Sequence, residues 1–116
     1  MPLVSNPTAV SPPSFGMAVT EVQTVLIDVS GALAAGQVIG SVSTSMVNAD
    51  TGAVVTLTHA FTLTTGATGI LSGVLQVFDP VNDGLVAGGA YRYRLRWNAY
   101  PSSNYTDSDL LVIVKA

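Results

Sequence analysis

Leu85-Val86-Ala87-Gly88-Gly89-Ala90-Tyr91-Arg92-Tyr93-Arg94-Leu95-Arg96-Trp97 is the stretch that decides the fold. From Tyr91 it alternates without a break. Tyr91, Tyr93, Leu95 and Trp97 fall on one side, and Arg92, Arg94 and Arg96 on the other. Successive side chains of a β-strand point to opposite faces, so this run is a strand with one aromatic face and one guanidinium face. The aromatic face is suited to burial. The arginine face is suited to water or to a partner.

The residues on either side extend the same reading. Further strands are expected over 22–29, 38–46, 54–63, 70–78 and 109–115, with His59-Ala60 a point where the third of these can break. Turns rich in Gly, Pro, Asn and Asp separate them at 48–52, 65–69, 79–84 and 100–104. In 70–78, Ile70, Val74 and Phe78 share one face, and Leu71, Leu75 and Val77 the other. A single helical turn is possible within 30–37. Short strands at this spacing predict an all-β sandwich or barrel. The spacing Leu85-x-x-Gly88-x-x-Tyr91 resembles the tyrosine corner of immunoglobulin-like sandwiches. The expected fold is therefore an immunoglobulin-like β-sandwich of about seven strands over residues 17–116.

Residues 1–16 carry Pro2, Pro7, Pro12, Pro13 and Gly16. Proline lacks an amide proton and pushes its predecessor into extended geometry. This predicts an extended N-terminal arm outside the sandwich ladder. It is either a loose tail or an arm lying on a neighbouring subunit through Leu3, Val10 and Phe15.

Composition narrows the function. The chain has 116 residues, one domain's worth, and no cysteine. Disulfides, thiolate metal sites and cysteine nucleophiles are excluded. Only 9% of residues are charged, against roughly 25% in ordinary soluble proteins, while 48% are hydrophobic. Either Ser, Thr and Gly keep the surface wet, or neighbouring subunits cover much of it, since interface cores are depleted of charge. A net charge of −3 argues against a main role in nucleic-acid binding. No apolar run approaches the ~20 residues of a membrane-spanning helix, and the first residues do not read as a signal peptide.

No residue set suggests catalysis. His59 is the one histidine, in an expected strand, without an evident nucleophile and orienting carboxylate. Asp79, Asn82 and Asp83 offer oxygens of the kind calcium uses, but Pro80 and the lack of further nearby acids favour a plain turn. Gly88-Gly89 lacks the Lys-Ser or Lys-Thr of a phosphate loop, and Asn104-Tyr105-Thr106 is a chance glycosylation triplet. Arg92, Arg94 and Arg96 either pair across strands with Asp28, Asp107 or Asp109, or form a docking stripe for an acidic partner; phosphate contact is a weaker third option. Tyr100 and Tyr105 are the aromatics left for stacking on a ligand.

Several segments are similar to small immunoglobulin-like structural proteins of tailed bacteriophages, with the fibre–tail adaptors nearest and capsid decoration modules alike in style. They are Ile27-Asp28-Val29-Ser30, Leu33-x-x-Gly36-x-x-Ile39-x-Ser41, the 48–52 turn, Leu85 to Tyr91, and Ser108-Asp109-Leu110-Leu111-Val112-Ile113-Val114. Together they lie within residues 25–116. The resemblance implies a non-enzymatic virion protein, made in the host bacterial cytoplasm and assembled in many copies. Its expected partners are other virion proteins (portal or adaptor, fibre, capsid) and copies of itself, with no cofactor, metal or small-molecule substrate. A capsid decoration protein and a carbohydrate- or surface-binding module are the alternatives.

Overall fold

The computed structural model describes residues 1–66 and 69–116. It is a two-sheet β-sandwich. Its strands are β1 (Leu3–Ser5), β2 (Ser14–Ala18), β3 (Gln23–Asp28), β4 (Val38–Asn48), β5 (Val54–Val55), β6 (Thr62–Thr65), β7 (Leu71–Phe78), β8 (Ala90–Tyr100) and β9 (Tyr105–Lys115). One sheet has the order β1-β3-β7-β6 and the other β2-β9-β8-β4-β5. The first matches the A-B-E-D sheet of an immunoglobulin fold, and β4-β8-β9 its C-F-G sheet. The 30–37 stretch makes a single 3-10 turn at Ser30–Ala32, and Pro80–Asp83 forms a one-turn helix in place of the expected loop. Ala67 and Thr68 of the expected 65–69 turn lie outside the described residues.

The decisive strand lies where its alternation puts it. Tyr91, Tyr93, Leu95 and Trp97 are buried, and they meet Val74, Phe78, Leu110, Val112 and Val114 in the core. Tyr93 stacks edge-on against Phe78 at 5.2 Å between ring centres. The polar tips of the aromatics are all satisfied, as burial requires. Trp97 Nε1 donates to Ser108 Oγ at 3.0 Å, and Tyr93 Oη donates to Gln76 Oε1 at 3.0 Å. The corner is present as well: the Val86 amide donates to Tyr91 Oη at 3.0 Å, and Gly88 takes the left-handed backbone (φ 81°) that the turn needs. Facing β8, the β4 ladder shifts register between Ile39 and Val42. Asn98 fills that irregularity, accepting from the Ser41 amide at 2.6 Å and donating to Ser102 O. A Cβ on Gly40 would meet Asn98 Oδ1 at 2.5 Å, so this position requires glycine.

The strand count is nine among the described residues, where the sequence predicted about seven. Two causes account for the difference. The expected 54–63 strand breaks, because the chain leaves the edge of one sheet at β5 and joins the other at β6. His59 sits in the bend between them and not in a strand. The second cause is the arm.

Residues 1–16 do join the ladder, contrary to the expectation from their prolines. β1 runs parallel to β3, Val4 opposite Ile27, and β2 runs parallel to β9, Phe15 opposite Val112. Val4 and Met17 are buried in the core. The prolines are compatible with this because they flank the two strands, and both strands are sheet edges, where one side needs no amide donor. Between them the chain crosses from one sheet to the other, turning at Asn6 (φ 49°), whose Oδ1 accepts from the Gly31 amide at 2.8 Å.

Candidate functional site

A sandwich has two inner faces, joined in the core, and two outer faces that meet the surroundings. Here the outer faces differ in kind. All three arginines, Lys115, Asp107 and Asp109 lie on β8 and β9 of the five-stranded sheet. The four strands of the other sheet hold a single charged residue, Asp28.

On the five-stranded sheet, register sets Arg94 opposite Asp109 and Arg96 opposite Asp107. Arg94 grips Asp109 with two bonds, Nε to Oδ1 and a terminal nitrogen to Oδ2, both 3.0 Å. Arg92, one step along the diagonal, donates Nε to the same Oδ2 and a terminal nitrogen to Ala9 O of the arm at 2.8 Å. Asp109 is on the outer side of its strand, yet its side chain is fully covered. Burial acts to raise its carboxyl pKa, but the bonds and charges of Arg94 and Arg92 outweigh that and hold it below its ordinary value. The same bonds raise Arg94 above the usual arginine value. Arg96 is the least engaged, 3.9 Å from Asp107 and stacked over the Tyr105 ring at 5.2 Å. The ladder is therefore paired across strands. Asp28, the third partner considered from the sequence, instead accepts from the Ser30 amide at 3.0 Å.

On the four-stranded sheet, alternation directs Leu3, Thr24, Leu26, Asp28, Thr62, Thr64, Gly73, Leu75 and Val77 outward. Register aligns Leu3 with Leu26 and Leu26 with Leu75, giving one leucine row across β1, β3 and β7 that ends at Thr62 on β6. Leu3, at its end, is 59% exposed. Beside the row, a depression of about 430 Å³ over Gly73 is lined by Leu3, Leu26 and Thr64. A Cβ on Gly73 would strike Thr64 at 2.9 Å and Leu26 at 3.1 Å, so the floor of the depression must be glycine.

The structure thus separates the residues singled out from the sequence. Leu3 belongs to the apolar face. Phe15 lies half-buried against Phe78 at 6.4 Å and belongs to the core margin. Val10 is 96% exposed on the crossing segment, above a cleft of about 500 Å³ between the arm and the 106–108 stretch. Arg92, Arg94 and Arg96 lie together on the opposite face. Leu26, Leu63 and Leu75 were not singled out. Their signal was present in strand 70–78, which is apolar on both sides, a pattern that an exposed outer face does not require.

The remaining polar clusters are built into the fold. Asp83 accepts from the Thr58 amide, Thr58 Oγ1 and the Asp79 amide. Asp79 accepts from Asn82 at 2.7 Å and lies 3.3 Å from His59 Nε2; the Asn82 bond is the main cause of its lowered carboxyl pKa. Among the described residues, no group of three or more His, Cys, Asp or Glu side chains could hold a metal ion.

No family model matches this chain, and no curated protein matches it. Among solved structures, the cysteine protease inhibitor EhICP2 from Entamoeba histolytica aligns over 98% of this chain and 94% of that chain, with a TM-score of 0.45 and 7% identity. A likeness that distant has no bearing on function.

Proposed function

We propose that this chain is a non-enzymatic virion structural protein of a tailed bacteriophage, joining tail or head to a fibre and assembled in several copies. The phage assignment draws on the resemblance carried by segments within residues 25–116. The observation that supports assembly is the leucine row on the four-stranded sheet. Leu3 is 59% exposed and Leu26 and Leu75 are half-buried beside it, and contiguous apolar side chains on an outer face mark interaction sites in soluble proteins. The arginine face supports a docking role less well, because Arg92 and Arg94 are already engaged by Asp109. Of the two alternatives, capsid decoration would use the same apolar face at another place on the particle. A carbohydrate module would stack sugars on exposed aromatics; Tyr105 already has Arg96 on its ring, which leaves Tyr100, 60% exposed, as the aromatic for that role.

Mass spectrometry of purified particles, with immunogold labelling, tests the reading. It expects the chain at fixed stoichiometry and the label at the tail, neck or fibre base. Label over the whole capsid would select decoration. Absence from particles that contain their other structural proteins would overturn the proposal.

A further inference from the structure

We infer that β6 is a pairing edge for a second copy of this chain, the two β6 strands running antiparallel about a two-fold axis at Leu63. The inference rests on the multi-copy reading above for the identity of the partner, and on backbone geometry for the site. Four strands end the two sheets. β1 and β2 are flanked by Pro2, Pro7, Pro12 and Pro13, and β5, two residues long, leaves the Val38–Ser45 side of β4 uncovered, a stretch broken by the register shift between Ile39 and Val42. Short length and proline are the usual means of blunting an edge, along with charge. β6, Thr62-Leu63-Thr64-Thr65, has neither a proline nor a charge. Among the described residues no strand covers its far side.

Hydrogen-bond alternation shows which groups that edge presents. The Leu26 amide donates to Pro2 O at 2.9 Å, so Leu26 faces β1 and Ile27 faces β7. Ile27 lies opposite Val74, so the backbone of Val74 is directed to β3, in agreement with the 2.9 Å bond from the Val29 amide to Ser72 O. Leu63 is opposite Val74 on the other side. Its N–H and C=O therefore point away from β7, to the open edge. The Leu63 side chain is directed toward the sandwich interior, yet is 39% exposed, because nothing closes the core beyond it.

A second copy satisfies all of this at once. Across the two-fold axis, each Leu63 exchanges both backbone bonds with the other, and the two side chains meet over the open core margin. Thr62 falls opposite the partner's Thr64, a cross-strand pair that stabilises sheets. Absence of charge is what an isologous contact needs, since it sets every residue against its own kind or a near neighbour. The two four-stranded sheets then form one continuous eight-stranded sheet, in which the leucine row of each copy continues into the Thr64–Gly73–Asp28 row of the other.

Sedimentation equilibrium of the intact chain, with charge-swapped variants, tests the inference. Thr62 and Thr64 face outward, so Thr62→Lys with Thr64→Lys should fold normally. It should weaken the dimer roughly 100-fold, because like charges facing each other across an interface are strongly unfavourable. Thr62→Glu with Thr64→Glu should do the same, and mixing the two variants should restore a heterodimer. Two results would overturn the inference: a wild-type chain that stays monomeric at high micromolar concentration, as an edge meant for another protein's peptide would, or a dimer indifferent to these charges. Neither result would alter whether the chain is found in particles, so the functional reading stands or falls separately.

Discussion

The two outer faces of this sandwich treat water differently. On β8 and β9 the polar side chains are tied to each other: Asp109, fully covered, holds two arginines, and Arg92 also holds the arm at Ala9. On β1, β3, β6 and β7 the outward side chains are mostly leucine, valine and threonine with the single charge of Asp28, crossed by the Leu3–Leu26–Leu75 row. Charge on this sandwich marks where its own strands and arm are tied together. The charged face is closed upon itself. The apolar face has nothing to close on.

The arm belongs to both faces, so removing residues 1–16 should have the largest effect. The truncation strips Leu3 from one face and Ala9 from the other, takes β1 and most of β2, and uncovers the core beside Val4. A loss of several kcal/mol is expected from the buried side chains alone, at about 2–5 kcal/mol for each large core truncation. Thermal unfolding followed by far-ultraviolet dichroism would measure it. A truncated chain melting with the intact one would show that the arm merely rests on the sandwich.

Replacing Arg92, Arg94 and Arg96 together with Ser should come next. It removes every ion-pair partner of Asp109, and because Arg92 and Arg94 are more than a third exposed the loss should be about 1–3 kcal/mol. Adding Asp109→Ser removes the orphaned charge and should recover part of the loss. Urea titrations of the two variants would decide the matter. Equal stability of the triple variant and the wild type would mean that the ladder is a solvated stripe, free to dock.

Leu75→Thr, on the apolar face, should change stability by less than about 1.5 kcal/mol, as a partly exposed substitution on a β-sheet. Incorporation into particles should nevertheless weaken. The smallest effect is acid sensitivity. The folded-state pKa of Asp109 is below the ordinary value near 3.8, so its contribution is present at neutral pH and is lost as pH falls through that depressed value. Stability measured from pH 6 to 2 should fall at the acid end, and Asp109→Asn should flatten the slope.

Much of this was legible in the residues. Strict alternation from Tyr91 to Trp97 placed the core strand and its arginine face, and Leu85, Gly88 and Tyr91 placed the corner. The arm was misread because its prolines, taken singly, exclude interior strands, whereas β1 and β2 are edges and pair in parallel with strands distant in sequence. The arginine partners were narrowed to three aspartates, but choosing Asp109 and Asp107 requires the β8–β9 register. The apolar row could not be read at all: Leu3, Leu26 and Leu75 become neighbours only once the strand order is known. Leu63 looked like an ordinary strand residue until its place at an uncovered edge was seen.

Backbone hydrogen exchange measured against protein concentration tests the central claim most directly, namely that the four-stranded sheet, and not the arginine face, is the assembling surface. The Leu63 amide, free in a single copy, should exchange fast in dilute solution and become protected as concentration rises, while the Tyr105 amide, directed away from β8 beside the arginine face, stays unchanged. Protection growing at Tyr105, with Leu63 exchanging fast throughout, would contradict the account.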